Sequence, residues 1–259
     1  MPLNPSLKQE LKEEIISKLK RKMEKYDFSK KSGNPFVDII FGKYSNLKSF
    51  IHGTATMLGS EYEIMAKKIA QSNPNFIKAE KRALIGKISD NEKAVITDLV
   101  KDLEESSKGS NYNYEIKSIF AADSENLKDT KIMIDLYLQD KQGKEFFVEM
   151  KGPDPNKKEV RAAKADLLNV VAIKKRTVNL TKFNKQIEVI FGVYYNNKEG
   201  EYKNWKVSPL FEKNKGVRVQ EEFWNFLGGK DTFKDLLEMI NEIKEEVYPL
   251  IKQKINMLT

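Results

Sequence analysis

"TKIMIDLYLQDKQGKEFFVEMKG", Thr130 to Gly152, decides the fold. It reads as two β-strands joined by a turn. An apolar, β-branched run covers 130–140, "DKQG" supplies turn residues, and a second run covers 144–152. Yet ionisable groups sit in segments otherwise suited to burial. Asp135 interrupts Ile132-Met133-Ile134-Asp135-Leu136, and the second run ends Val148-Glu149-Met150-Lys151. Residues two apart on a strand share a face, so Glu149 and Lys151 project together, with Met150 opposite. Pairing through the turn sets Asp135 beside them.

That arrangement has a specific chemistry. Two carboxylates converging at a sheet end offer hard oxygen donors suited to Mg²⁺, and the Met150 carbonyl offers a third. A neighbouring lysine can orient a water or offset charge on a phosphate. A metal ion lowers the pKa of water and neutralises developing oxyanion charge, so the set suits phosphodiester hydrolysis. The competing reading is a structural ion pair. The sequence carries its own control in "YEIKSIF", where Glu115-Ile116-Lys117 repeats the Glu-x-Lys pattern. Residues 111–123 alternate like a strand, but no acid-bearing apolar strand precedes them at hairpin distance, so that copy reads as an exposed strand face. The acid embedded at 135 favours the site at 135–151, because an unpaired buried carboxylate is costly.

Outward from this hairpin the periodicity becomes helical. "KKEVRAAKADLLNVVAIKK" (157–175) carries a broad apolar stripe with basic residues on its other side, and "KQIEVIFGVYYN" (185–196) reads as a fourth strand. Upstream, helices are expected over 6–26 with Ser6 as cap, over about 46–71, and over 90–107 with Asp90 as cap; "SGNPF" at 32–36 and Pro74 are breaks. Downstream, short strands or loops lead to a closing helix from Asp231 or Thr232. The expected fold class is α/β with a mixed central sheet flanked by helices, a helical N-terminal layer and a C-terminal helix. We expect a single domain over 1–259: a mostly helical part over 1–108, a sheet core over 109–196, and strands, loops and a helix over 197–259.

Composition narrows the partners. With 46 Lys+Arg against 38 Asp+Glu, the net charge of +8 permits a polyanion without demanding one. The chain has no cysteine and one histidine, His52, which argues against disulfides, zinc-thiolate sites and serine triads. His52 reads as a half-buried helix residue. No run is apolar enough for a membrane span and no signal core precedes residue 20, so the expected location is the cytoplasm.

Asp135 on one strand and Glu149-x-Lys151 on the next resemble the PD-(D/E)xK nuclease superfamily, whose α-β-β-β-α-β core matches the order read over about 90–196. Ile134 stands where that family's name has proline, a commonly degenerate position. The resemblance implies a restriction-endonuclease-like fold, Asp135 and Glu149 as Mg²⁺ ligands with the Met150 carbonyl, and Lys151 as the catalytic lysine. Within it the chain is similar to type II restriction endonucleases. "SFIHGTATMLGSEYEIMAKKIA" (49–70) resembles their helix before the core, where a glutamate completes the site; Glu63 is the choice here, Glu61 the second. "EMKGPDPNKKEVRAAKADLL" resembles the strand, loop and basic helix after their lysine. "EEFWNFLGGKDTFKDLLEMI" resembles a Phe-Trp-x-x-(Ile/Leu)-Gly-Gly segment of enzymes that cut short interrupted GG…CC palindromes. The implied partners are double-stranded DNA, a second copy of the chain and a cognate methyltransferase.

Local readings compete at each position. Glu63 can equally solvate a helix face opposite Lys67, and Trp224 and Phe226 read as packing residues. For DNA contacts the candidates are Lys157, Lys158, Arg161, Lys164, Lys174, Lys175 and Arg176 for phosphates, and Asn156, Lys215 and Arg218 for base edges. About half of these basic residues are expected to be ordinary solvated surface. The rivals are a nuclease of the same superfamily without strict sequence specificity, and a non-catalytic DNA-binding α/β protein.

Overall fold

A computed structural model describes residues 3–27, 30, 34–105, 109–123, 125–213 and 215–256. The chain divides into two compact units, one made of Met1–Met65 with Gly229–Thr259 and the other of Ala66–Gly228. Among the described residues, no helix is long and apolar enough to cross a membrane.

The first unit is helical. Helix α1 (Pro5–Lys25) buries Leu11, Ile15, Leu19 and Met23, a four-residue spacing that keeps them on one stripe. Helix α9 (Thr232–Asn256) packs on α1 and buries Leu236, Met239, Ile243 and Val247. Lys12 to Glu242 (2.9 Å) and Lys20 to Glu246 (2.5 Å) flank that seam. The cap of α1 is Asn4 rather than Ser6: the Asn4 side chain accepts from the Ser6 N–H. Helix α2 (Pro35–Phe41) starts at the expected break, with Asn34 as its cap; Ser32 and Gly33 lie outside the described residues. Helix α3 (Leu47–Ser72) matches the expected 46–71. His52 lies on its exposed side.

The second unit is built on a five-stranded mixed sheet in the order β1-β2-β3-β4-β5. Strands β1 (Phe76–Ser89), β2 (Leu127–Asp140) and β3 (Glu145–Lys151) are antiparallel. Strands β4 (Ile187–Val193) and β5 (Val217–Val219) continue in parallel. The expected fold class stands, but its first strand is not 111–123. That segment is helix α5 (Tyr112–Ala121), and the strand comes from 76–89, inside the part expected to be helical. Asn111 decides the matter locally: its side chain accepts from the Tyr114 N–H and starts a helix that buries Tyr112, Ile116 and Ile119 on one stripe. Helix α4 (Asp90–Glu105) is capped by Ser89 rather than Asp90. The Ser89 hydroxyl accepts from the Glu92 N–H at 3.1 Å and the Glu92 carboxylate accepts from the Ser89 N–H at 2.8 Å. Residues 106 and 107 of the expected helix lie outside the described residues.

Helix α6 (Lys157–Lys174) lies against β1 to β4, with α4 and α5 packed on it. The core between them includes Ile132, Ile134, Tyr137, Phe147, Phe191, Leu167 and Val171. Each such side chain contributes roughly 1.5–3 kcal/mol by leaving water. Helix α7 (Leu180–Gln186) leads into β4, and α8 (Glu221–Gly228) follows β5. Gly192 lets Phe223 of α8 lie close on β4: a Cβ there would stand 2.5 Å from the ring.

One irregularity positions the site. Arg82 of β1 pairs with Ile134, yet Glu80 pairs with Tyr137. Asp135 and Leu136 therefore both lie opposite Lys81, which is a β-bulge. It shifts the side-chain parity of β2: Ile132, Ile134 and Tyr137 all reach the same core. Asp135 is the residue one step beyond the last β2–β3 ladder pair, Leu136↔Val148, and so stands across from Glu149.

Candidate active site

The bulge, the hairpin and the strand period bring Asp135, Glu149 and Lys151 together. The turn that holds the hairpin uses Asp140, whose carboxylate accepts from the Gln142 and Lys144 N–H groups, and Gly143 at φ 84. Asp135 Oδ2 accepts from the Met150 N–H at 3.0 Å and from Lys151 Nζ at 3.4 Å. Lys151 Nζ also lies 3.6 Å from Glu149 Oε2. The lysine thus sits between two carboxylates at lengths looser than a tight ion pair.

Burial separates the two acids. The Glu149 side chain is 7% exposed, the Asp135 side chain 17%. Glu149 Oε1 is buried and has no hydrogen-bond partner among the described residues. Burial, with the Asp135 charge beside it, pushes the Glu149 carboxyl up to about 8. Burial would lower Lys151, but Asp135 and Glu149 outweigh it and hold the ammonium above the ordinary lysine value. Asp166 on α6 also feels this centre. Burial raises it, Lys151 counteracts, and Asp135 adds to the rise. Sequence reasoning missed Asp166; helical phase places it near the apolar stripe of α6 beside Leu167, the one signal that could have marked it.

Among the described residues, no set of three or more His, Cys, Asp or Glu forms a closed metal cage. The donors present still fit a hard cation. Two carboxylates converge, and one carries a buried oxygen lacking a partner. The Met150 carbonyl adds to them. The Lys151 carbonyl accepts from the Tyr194 N–H on the β4 side, so by strand alternation the Met150 carbonyl faces β2, beyond the end of its ladder. Such an open site leaves coordination positions for water and a phosphate oxygen.

Comparison with known proteins gives the family. The family model described as "Type II restriction endonuclease, HinfI" matches residues 3–244. The chain belongs to the HinfI family of type II restriction endonucleases. Three relatives, all from Herpetosiphon aurantiacus, carry the name type II restriction enzyme. HgiEI is 26% identical over 48% of this chain and 44% of that enzyme, and HgiCII 29% over 43% and 40%. The chain thus aligns with less than half the length of those two. HgiBI is 21% identical over 98% of this chain and 99% of that enzyme. No solved structure matches.

In this HinfI-family chain the expected DNA contacts divide sharply. Lys157, Lys158 and Arg161 lie on the exposed side of α6, with Arg161 Nε 3.2 Å from Glu104. Lys164 is a correction: its side chain is 5% exposed and pairs with Glu115 at 2.6 Å, facing the core. Lys174 pairs with Glu145 at 2.6 Å, and Lys175 and Arg176 both hold the buried Glu92, at 2.6 and 2.5 Å. These four cations neutralise interior or half-buried carboxylates, which would be costly to leave unpaired. Asn156 caps α6 in a reciprocal box with Glu159. Arg218 pairs with Glu188 at 2.5 Å and lies over the Phe226 ring, and Lys215 pairs with Glu212 at 2.9 Å. Trp224 is buried, donating to the Tyr194 carbonyl, and Phe226 packs on Phe76 and Phe146. Glu63 is half-buried on α3 in the first unit. In that unit Glu61 is buried and accepts twice from Lys18 Nζ, at 2.8 and 2.7 Å.

Proposed function

We propose that this chain is a Mg²⁺-dependent type II restriction endonuclease of PD-(D/E)xK type. It hydrolyses phosphodiester bonds in double-stranded DNA at a short interrupted GG…CC palindrome and leaves 5′-phosphates. The observation that carries the reading is the convergence of Asp135, Glu149 and Lys151 across the β2–β3 hairpin, with a buried Glu149 oxygen lacking a partner. The HinfI family match supports the substrate class.

Asp135, Glu149 and the Met150 carbonyl hold the cation. When bound, Mg²⁺ supplies charge neutralisation at the phosphate and lowers the pKa of water. Lys151, kept protonated by the two carboxylates, orients the attacking water with an N–H and sets its charge against the phosphate oxygens. Glu149 has to release its proton before it can serve as a ligand, since burial favours its neutral form. A two-fold pair of chains would cut both strands of a palindrome symmetrically.

Plasmid digestion tests this. With Mg²⁺ the wild type gives discrete bands carrying 5′-phosphate ends, and with EDTA it gives none. A smear would instead mean a nuclease without sequence specificity. No metal-dependent cutting at all would mean a non-catalytic DNA-binding protein.

A further inference from the structure

Directly after Lys151 the chain runs through Pro153 and Asp154 to the start of α6. A second segment, 202–206, is fastened to this loop. The Tyr202 hydroxyl donates to the Pro153 carbonyl at 3.0 Å, and Asn204 Nδ2 donates to the same carbonyl at 3.2 Å and to Asp154 Oδ1 at 3.3 Å. Lys206 Nζ donates to Asp154 Oδ1 at 2.7 Å, while the buried Asn204 accepts from the Lys206 N–H at 2.9 Å. Between these anchors stands Trp205, 70% exposed. Lys157 Nζ and Lys206 Nζ each lie 5.8 Å from its ring centre.

An indole held outward on a pinned segment and flanked by two ammonium groups has little to gain within its own fold. The other tryptophan, Trp224, is buried and donates its indole N–H to a carbonyl. We propose that Trp205 is a DNA-contacting residue: its ring packs on a nucleotide of the bound duplex, and Lys157 holds a neighbouring phosphate while Lys206, paired with Asp154, keeps the segment in place. The chemistry is that of an aromatic ring with flanking cations; on an intact duplex, whose base faces are stacked, the ring takes a sugar face and the cation takes the backbone. The short tether through Pro153 and Asp154 to Lys151 places this contact within a few nucleotides of the scissile bond. It thereby fixes the register of the strand over the carboxylates. This inference rests on the nuclease reading above.

The two tryptophans make the test direct. Tryptophan fluorescence, acrylamide quenching and anisotropy are measured with a short duplex carrying the site mapped from plasmid digestion, with Ca²⁺ in place of Mg²⁺. The wild type should lose fluorescence and acrylamide access on binding DNA, and Trp205→Phe should show no acrylamide-sensitive signal to lose. Trp205→Ala should weaken binding about 10-fold and lower the cleavage rate, with Trp205→Phe recovering part of both. Lys157→Ala should weaken binding and reduce its salt dependence. If the wild type binds and cuts DNA while Trp205 stays open to acrylamide and Trp205→Ala behaves as wild type, the inference is overturned and the nuclease reading stands. If protection of Trp205 instead rises with protein concentration in the absence of DNA, the ring belongs to a contact between copies and the proposal is equally overturned. If the wild type neither binds nor cuts, the underlying reading fails first.

Discussion

Glu115-Ile116-Lys117 and Glu149-Met150-Lys151 share one pattern and have opposite fates. The first lies in a helix, where a two-residue step turns about 200° and separates the side chains. Glu115 points inward to Lys164 at 2.6 Å and also accepts from the Ser110 hydroxyl, while Lys117 is exposed. The second lies in a strand, where both side chains share a face. Glu149 is nearly as buried as Glu115, but one of its oxygens has no partner and its lysine stands 3.6 Å off. The first acid is fully neutralised and structural. The second is left under-satisfied, next to another acid, at the edge of the pairing. A buried group lacking partners costs stability, and chemistry is the common reason for retaining one.

The largest expected effects fall on the second copy. Asp135→Ala and Glu149→Ala should each reduce cleavage about 10³-fold, read as the rate of plasmid conversion, while near-wild-type circular dichroism shows the fold intact. Glu115→Ala should do the reverse. It strands Lys164 in the core and should cost about 3–5 kcal/mol by denaturant unfolding, with the chemical step unchanged in whatever protein remains folded. If Glu115→Ala proved stable but inactive, the division between the two copies would be reversed.

The comparison sharpens with pH. The folded chain holds a proton on Glu149 up to about 8, whereas the unfolded chain releases it near the ordinary glutamate value. That contribution to stability is complete below the unfolded value and is lost as pH rises through about 8. Metal-free protein should therefore lose melting temperature as pH rises from about 4.5 to about 8 and level off above that, and Glu149→Gln should flatten that slope. Cleavage should move the other way, falling as pH drops, because the proton competes with the cation for Glu149. An unchanged slope in Glu149→Gln would remove Glu149 as its source. The smallest effect belongs to Lys117→Ala, exposed on its helix and expected within about 0.5 kcal/mol of wild type by thermal melting.

Much of this was legible in the residues, and the failures have physical causes. The β2–β3 hairpin, β4, α6 and the long helices follow from periodicity and turn chemistry. Strand β1 was missed because "FIKAEKRALIGKIS" is an edge strand with one wet face, so its charges hide the alternation. Helix α5 reads as a strand in the sequence because Tyr112, Ile116 and Phe120 fit both a two-residue and a four-residue spacing and the exposed Tyr114 fits the two-residue one; the Asn111 cap breaks the tie. Asp135 and Glu149-x-Lys151 were visible as charges in apolar runs, but the bulge at Asp135 was not, since register is a property of two strands. Lys164, Lys174, Lys175 and Arg176 looked like a phosphate-binding face because sequence alone does not reveal which carboxylates lie beneath a basic helix.

On the proposed reading the strand copy of Glu-x-Lys performs the reaction and the helix copy does not. Lys151→Ala and Lys117→Ala, digested side by side with plasmid and Mg²⁺ after both are shown to be folded, test it directly. Wild-type bands are expected from Lys117→Ala and uncut plasmid from Lys151→Ala, with DNA binding retained in both. Wild-type cutting by Lys151→Ala would contradict it.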